Sequence, residues 1–160
     1  MKENKTRNLA HGALIAAIYI VLTMVFRPIS FGPIQFRISE ALCIMPYFTP
    51  TAIPGLLIGC MISNMLGGAM MMDVVFGSLA TLIGAIGSYL LRRNRYLVSL
   101  PPILANTLII PWVLKFAYGS EDMIWYMMIT VGIGEILAIG VLGQFLLTIL
   151  RKNRSFIFGE

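Results

Sequence analysis

Charged residues are scarce in this 160-residue chain. They make up 12% of it, and hydrophobic residues make up 58%. Soluble domains average about 25% charged and about 45–50% apolar residues. Mean hydropathy is +0.86. Such a composition excludes a water-exposed surface of ordinary size, so the sequence predicts an integral membrane protein with residues 1–160 in a single domain.

Residues that commonly carry chemistry are also few. The chain has two cysteines, Cys43 and Cys60, and one histidine, His11, and their spacing matches no metal site. No nucleophile–base pair or phosphate-binding loop is recognisable, so the sequence favours neither an enzyme nor a bound cofactor. The net charge of +5 comes from bases clustered at segment ends, which indicates membrane topology rather than a nucleic-acid partner.

Five apolar stretches are separated by short polar segments. Ser39–Leu66 contains Pro46, Pro50 and Pro54, and it fits either one kinked helix or two short helices. The other four are each long enough to cross a bilayer as one helix. They are Leu9–Phe26, Asp73–Leu91, Leu97–Tyr118 and Met123–Leu150.

The distribution of positive charge decides between the two topologies. If Ser39–Leu66 crosses twice, there are six transmembrane helices, both termini are cytoplasmic, and nine of the twelve Lys and Arg residues lie inside. Only Arg27, Arg37 and Lys115 then lie outside. A single crossing would place the Arg92–Arg95 and C-terminal basic clusters on opposite sides, so the positive-inside bias favours six.

A polar insert, Phe31–Leu42 (FGPIQFRISEAL), interrupts the apolar pattern. It carries Gln35, Arg37, Ser39 and Glu40 within six positions. We expect it to form a loop over a small-molecule site at the outer face, with Ser39 as a helix N-cap. Arg37 and Glu40 either contact a ligand or pair with each other.

Polar residues inside the spans are costly and therefore candidates for function. Glu135 is expected near the midplane of the sixth helix, and Asn106 at a similar depth on the fifth. Asp73 begins the fourth helix, and Asn64 lies near the outer end of the third. For each residue, ligand binding competes with a structural role, as an interhelical hydrogen bond or as a partner of the helix dipole.

Aromatic and small residues leave similar alternatives. Trp112 and Tyr126 belong either to an interfacial aromatic belt or to a stacking surface for a flat ligand. Ala13 and Ala17 form a small-xxx-small pair that serves either packing inside the bundle or docking to another membrane protein.

Three stretches carry a resemblance to a known family. GPIQFRISEAL, CIMPYFTPTAIPGLLIG and DVVFGSLATLIGA resemble the QueT family, which are substrate-binding (S) components of energy-coupling factor (ECF) transporters, and the likeness extends from Ala13 to the end of the sixth helix. It implies a six-helix S-component fold in the bacterial plasma membrane, with Ala13 and Ala17 in the docking motif. It also implies a transmembrane coupling subunit and two ATPase subunits as partners, and a queuosine precursor, a 7-deazaguanine base, as substrate.

Such a base presents two adjacent donors on its Watson–Crick edge, which a carboxylate accepts in bidentate fashion, while an amide donates to the carbonyl. A second acid such as Glu40 would neutralise an aminomethyl group. The predicted substrate-binding residues are Gln35, Arg37, Glu40, Asn64, Asp73, Asn106, Trp112, Tyr126 and Glu135. Two other readings remain open: a stand-alone transporter with Glu135 as proton carrier, and a membrane scaffold without a ligand.

Overall fold

The computed structural model describes residues 2–31 and 36–153, and these residues are arranged as a helical bundle. Seven α-helices are joined by two 3-10 helices and a π-helical segment. The α-helices are α1 (Lys2–Val25), α2 (Arg27–Ser30), α3 (Ala52–Leu66), α4 (Met71–Leu90), α5 (Leu100–Ala117), α6 (Ile124–Glu135) and α7 (Gln144–Lys152). The 3-10 helices are Ile38–Tyr47 and Leu97–Ser99, and the π segment is Ile136–Gly143.

Four continuous helical stretches are long and apolar enough to cross a membrane: Lys5–Val25, Met71–Leu90, Leu97–Ala117 and Ile124–Lys152. The all-helical membrane bundle predicted from the sequence is therefore confirmed. Three of the four predicted spans agree with these stretches to within two residues at each end. The first helix begins several residues before the predicted Leu9, because the charged N-terminal residues continue it.

The Pro-rich stretch Ser39–Leu66 forms two helical segments with a turn at 48–51. The 3-10 helix Ile38–Tyr47 starts beside the end of α1, where the Thr23 and Ser39 hydroxyl groups are hydrogen-bonded at 2.7 Å. At the turn, a Cβ on Gly12 would lie 3.1 Å from the Thr51 carbonyl oxygen. The 3-10 helix therefore runs antiparallel to α1, and α3 returns in the same direction as α1.

The prediction that Ser39 is an N-cap is wrong. Arg37 occupies the cap position, in an extended conformation, and the helix starts at Ile38. Ser39 is already inside the helix and fully buried, where its hydroxyl pairs with Thr23 instead of capping the backbone.

Glycines allow the helices to approach closely at the end of the bundle away from Asp73. A Cβ added at Gly55 of α3 would lie 2.5 Å from the Gly12 carbonyl oxygen of α1. A Cβ at Gly84 of α4 would lie 2.5 Å from the Cα of Pro102 in α5. Small residues here serve contacts within the bundle, since only a hydrogen side chain fits between the backbones.

We expect Gly55→Ala to destabilise the protein. The added methyl group meets backbone atoms, which cannot move aside by changing rotamer. Overpacking of this kind lowers the free energy of unfolding by about 1–3 kcal/mol. The gain of up to about 1 kcal/mol in helix propensity offsets only part of this cost. Thermal unfolding of the detergent-purified protein measures the effect.

Gly140→Ala is the matched control, because a Cβ there would meet only side-chain atoms, at 3.7 and 3.8 Å. Its Tm should equal or exceed that of the wild type. Equal Tm values for Gly55→Ala and Gly140→Ala would contradict the close contact of α1 with α3.

Candidate functional site: a polar cluster below an open cavity

A cavity of about 770 Å³ opens at the end of the bundle that carries Asp73. This volume falls within the usual range of about 300–1,000 Å³ for small-molecule sites. The cavity lies between α2, the α3–α4 turn and the α5–α6 connection. Its lining residues are Arg27, Pro28, Phe31, Gly67, Gly68, Ala69, Asp73, Leu114, Tyr118, Ser120, Asp122, Tyr126, Met127 and Thr130.

Asp73 lies in the wall of this cavity and forms an ion pair with Arg37. The Arg37 Nη2 and Asp73 Oδ2 atoms are 3.6 Å apart, and the two side chains are only 5% and 1% exposed. Asp73 occupies the first turn of α4, where unpaired N–H groups favour negative charge. Arg37 also lies over the Phe31 ring, 5.2 Å from its centroid. Arg37 thus pairs with Asp73 rather than with Glu40.

Tyr118, directly after α5, positions the same carboxylate. Its hydroxyl donates to Asp73 Oδ2 at 3.1 Å and accepts the Met70 N–H at 3.1 Å. Partial burial and the nearby Asp73 carboxylate raise the pKa of Tyr118 above its ordinary value. The hydroxyl is therefore protonated at neutral pH and available as the donor.

Glu40 lies deeper and is supplied with donors from three elements. Its carboxylate accepts from the Tyr19 hydroxyl of α1, from the Cys43 thiol at 2.9 Å, and from the Thr81 hydroxyl of α4 at 3.4 Å. Glu40 is 1% exposed. Since these bonds already satisfy the carboxylate, its most direct role is to hold α1, the 3-10 helix and α4 together.

Glu135 and Asn106 lie in one layer of the bundle, as their predicted depths indicated. Both are 3% exposed, and the Asn106 side chain is within hydrogen-bonding reach of the Glu135 carboxylate. Glu40 and Arg37 are also close enough to interact electrostatically with Glu135. Its Oε2 atom has no hydrogen-bond partner.

Within the described residues, seven buried polar side-chain atoms lack a hydrogen-bond partner, and most belong to residues singled out from the sequence. They are Ser30 Oγ, Arg37 Nε and Nη2, Asn64 Oδ1, Asp73 Oδ1, Thr107 Oγ1 and Glu135 Oε2. Buried polar groups are nearly always hydrogen-bonded, and each exception calls for a missing partner. We name Arg37, Asn64, Asp73 and Glu135 the polar cluster.

Several elements bring the members of the polar cluster together. The Asn64 side chain of α3 donates to the Asp73 carbonyl of α4 at 3.3 Å. A Cβ on Gly77, one turn after Asp73, would lie 2.9 Å from Asp73 Oδ1 and 3.2 Å from Asn64 Nδ2. The absence of a side chain at Gly77 thus allows both groups to lie against the backbone of α4.

The two predicted aromatic residues are separated. Tyr126 lines the cavity. Trp112 is 45% exposed and stacks on Phe116 at 6.0 Å, and it lies in a separate apolar groove with Met72 and Phe76. That position is typical of a residue facing lipid. Gln35 lies outside the described residues.

Sequence reasoning missed Tyr118 and Arg27 as residues of the site. Arg27 lines the cavity and donates to the Gly67 carbonyl at 2.8 Å, which ties the start of α2 to the end of α3. In the sequence both residues are recognisable only as parts of helix ends. Their location at the same end as Asp73 followed from the predicted topology and would have identified them.

Ala13 and Ala17 are exposed on α1. They line an apolar groove of about 620 Å³ between α1 and α3, together with Gly12, Ala16 and Ile58 among others. The neighbouring Ala16 is buried instead. The pair is therefore not used for packing inside the bundle.

Long apolar helices around a polar cluster, with an open cavity at one end, define an integral membrane protein with a candidate site for a small molecule. A family profile described as "QueT transporter" matches residues 9–152. The chain therefore belongs to the QueT transporter family.

One relative supports the same assignment. The chain is 45% identical over 85 residues to "Queuosine precursor transporter QueT" of Lactococcus lactis subsp. cremoris (strain MG1363). The match covers 52% of this chain and 50% of that relative, so it spans about half of each protein. No solved structure matches the chain.

The ion pair gives a prediction for stability. Because Arg37→Met leaves a buried carboxylate without its counter-charge, we expect a loss of about 3–5 kcal/mol. The double variant Arg37→Met/Asp73→Leu should recover much of this loss, since it leaves neither charge unpaired. Denaturation of the ligand-free protein measures Arg37→Met, Asp73→Leu and the double variant.

Arg93→Met removes an exposed guanidinium and serves as the control, with an expected change within about 0.5 kcal/mol. Additive effects of Arg37→Met and Asp73→Leu would contradict a coupled pair.

Proposed function

We propose that this chain binds a queuosine precursor of the 7-deazaguanine type at the polar cluster and is the substrate-binding component of an ATP-driven ECF importer. The substrate follows the printed name of the Lactococcus lactis relative. The importer class follows the family resemblance carried by the insert and the two motifs after it.

The unpartnered atoms of the polar cluster are the observation that carries the proposal. Asp73 Oδ1, Asn64 Oδ1 and Glu135 Oε2 need donors, and Arg37 Nε and Nη2 need an acceptor. A deazaguanine offers a ring N–H, an exocyclic amino group and a carbonyl oxygen on one edge. Its donors satisfy Asp73 or Asn64, while its carbonyl accepts from Arg37.

The cavity provides the route and a surface for the ring. Asp73 belongs both to the cavity wall and to the polar cluster, so a ligand that enters the cavity meets the cluster at this residue. Tyr126 and Tyr118 both line the cavity, and their rings are proposed to stack on a flat heterocycle. The expected loop over all of Phe31–Leu42 is wrong for Ile38–Leu42, which belong to the 3-10 helix, and Ser39–Leu42 are buried in the bundle. The part of the insert before Ile38, which includes Gln35, is the segment proposed to cover the bound base.

The proposed topology has six membrane crossings, with both termini in the cytoplasm of a bacterial cell. The antiparallel course of the 3-10 helix and the parallel return of α3 support two crossings in the middle stretch. The 3-10 helix spans about 20 Å at 2.0 Å per residue, and α3 about 22 Å at 1.5 Å per residue. Asp73 and its cavity then face outward.

The ATPase partners are proposed to act through a transmembrane coupling subunit. The exposed Ala13 and Ala17 allow a partner helix to approach α1 closely, and the apolar groove beside them adds contact area. ATP hydrolysis in the partner subunits would reorient the loaded chain.

A second candidate function is a stand-alone proton-coupled transporter. The buried Glu135, with one oxygen unpartnered, supports it, since intramembrane carboxylates often carry protons. Uptake would then require this chain alone.

Binding tests the site directly. We expect 7-deazaguanines to raise the Tm of the purified protein, because a ligand that binds only the native state stabilises it. Unrelated vitamins should not. Asp73→Asn should raise the Kd by about tenfold or more, since it removes the negative charge and replaces one buried acceptor oxygen with an amide donor.

Glu121→Gln removes an exposed acid from the α5–α6 connection outside the cavity lining and should leave the Kd unchanged. A wild-type protein whose Tm responds to none of the heterocycles would rule out the proposed substrate.

Uptake measurements separate the two transport mechanisms. Reconstituted with its partners, the chain should accumulate labelled 7-deazaguanine only when the ATPase subunits are catalytically competent. Accumulation that persists with inactive ATPases and collapses with the proton gradient would favour the stand-alone transporter.

A further inference from the structure

The short connection between α4 and α5 carries a concentration of positive charge. The span Met71–Leu90 ends directly before residues 91–96, and the span Leu97–Ala117 begins directly after them. Arg92, Arg93 and Arg95 lie in this segment, which we name the basic connection. It lies at the end of the bundle opposite the cavity, because α4 begins beside the cavity and runs away from it. The basic connection is therefore separate from the polar cluster.

The three arginines have no acidic partner in the part of the chain that the structure describes. The ion pair found there joins two residues at the other end of the bundle. The dipole of α4 contributes only about half a negative charge at its C-terminal end, which does not balance three guanidinium groups. The acids whose side chains are described lie inside the bundle or at its cavity end, and they are Glu40, Asp73, Glu121, Asp122 and Glu135.

Two of the guanidinium groups are held by tyrosine rings. Arg92 lies over the Tyr89 ring, with 4.2 Å from the guanidinium carbon to the ring centroid, and Arg95 lies over the Tyr96 ring at 4.5 Å. Stacking uses the face of the guanidinium plane, whereas its N–H groups point outward along the edge. Arg95 donates one of them to the Tyr96 hydroxyl. The other edge N–H groups have the fork geometry that binds two oxygens of a phosphate.

Hydrogen bonds from neighbouring helices fix the backbone of the basic connection. Gln144 of α7 donates to the Arg95 carbonyl at 2.8 Å. Just after the connection, the Ser88 hydroxyl of α4 donates to the Val98 carbonyl at 2.7 Å, and Val98 is fully buried. The arginines are thus presented by an ordered turn, which reduces the entropy lost when a ligand binds.

Large apolar side chains flank the arginines and are exposed. Leu90 and Tyr96 are 71% and 65% exposed, and Leu91, Leu97 and Leu100 are exposed as well. Exposed cations beside exposed apolar groups are typical of the boundary of a bilayer, where basic residues meet anionic headgroups and tyrosine rings are enriched. In the proposed topology this boundary belongs to the cytoplasmic leaflet.

We propose that the basic connection is a binding site for the headgroup of an anionic phospholipid. Arg92 and Arg95 donate to the phosphate oxygens, and Arg93 adds to the electrostatic attraction. The acyl chains lie along Leu90 and Leu97. The ligand is a lipid rather than a soluble phosphate, because the apolar side chains on both sides belong to transmembrane spans or adjoin them. This site does not depend on the substrate bound at the opposite end.

Lipid binding by the full chain tests the site. The protein is purified in a neutral detergent and titrated with phosphatidylglycerol and with phosphatidylcholine of the same acyl chains, and native mass spectrometry gives the Kd of each. We expect phosphatidylglycerol to bind about tenfold more tightly or better, since each base near an anionic headgroup strengthens the attraction. Arg92→Gln/Arg95→Gln should lose this preference.

Lys5→Gln/Arg7→Gln is the matched control, because it removes the same charge from exposed residues at the same end of the bundle. It should keep the preference. An equal loss in the two double variants would overturn the site in favour of diffuse attraction. Equal affinities of the wild type for the two lipids would overturn it as well. Displacement of the lipid by an equal concentration of inorganic phosphate would identify the ligand as a soluble anion and contradict the proposal.

Arg92→Lys/Arg95→Lys separates the shape of the site from its charge. Lysine keeps the positive charge but lacks the planar fork, so the Kd for phosphatidylglycerol should rise by about threefold or more. This variant also decides the question if Arg92→Gln/Arg95→Gln does not fold. A Kd equal to that of the wild type would contradict a site built from stacked guanidinium groups.

Discussion

The ion pair between Arg37 and Asp73 is the interaction on which the architecture of the site depends. Removing two charges from water is expensive, and their attraction repays the cost only when other groups complete their hydrogen bonding. Tyr118 does so for one Asp73 oxygen. The pair therefore joins the start of the 3-10 helix to the first turn of α4 and, through Tyr118, to the end of α5, while several of its polar atoms stay available to a ligand.

Packing elsewhere explains why the bundle is open at this end. At the far end, Gly55 of α3 packs on Gly12 of α1, and Gly84 of α4 packs on Pro102 of α5, so that the neighbouring backbones touch. Around Asp73 the space between the helices is instead occupied by long or aromatic side chains such as Arg27 and Tyr118. Backbones therefore touch at Gly55 and Gly84, whereas long side chains separate the helices around the cavity beside Asp73.

The helices and most of the polar cluster were predictable because both can be read from local sequence. The helices are long apolar stretches, and the cluster residues are polar residues within or beside those stretches. Glu135, Asn64 and Asp73 were recognisable because a polar residue in a membrane span is rare. Partnerships between distant residues were not predictable. Nothing local indicated that Glu40 would be satisfied by Tyr19, that Arg37 would choose Asp73, or that Trp112 would face away from the cavity.

The π segment Ile136–Gly143 begins at the residue after Glu135. A π turn holds more residues than an α turn, so it changes the angular phase of everything that follows. Gln144, the first residue after it, donates to the Arg95 carbonyl and to the Ser99 hydroxyl at 2.8 and 2.6 Å. In uniform α geometry one residue turns the helix by about 100°. The wide turn therefore sets the angle between Glu135, which faces the interior, and Gln144, which bonds the 95–99 connection, to a value that a uniform α-helix of the same length would not give.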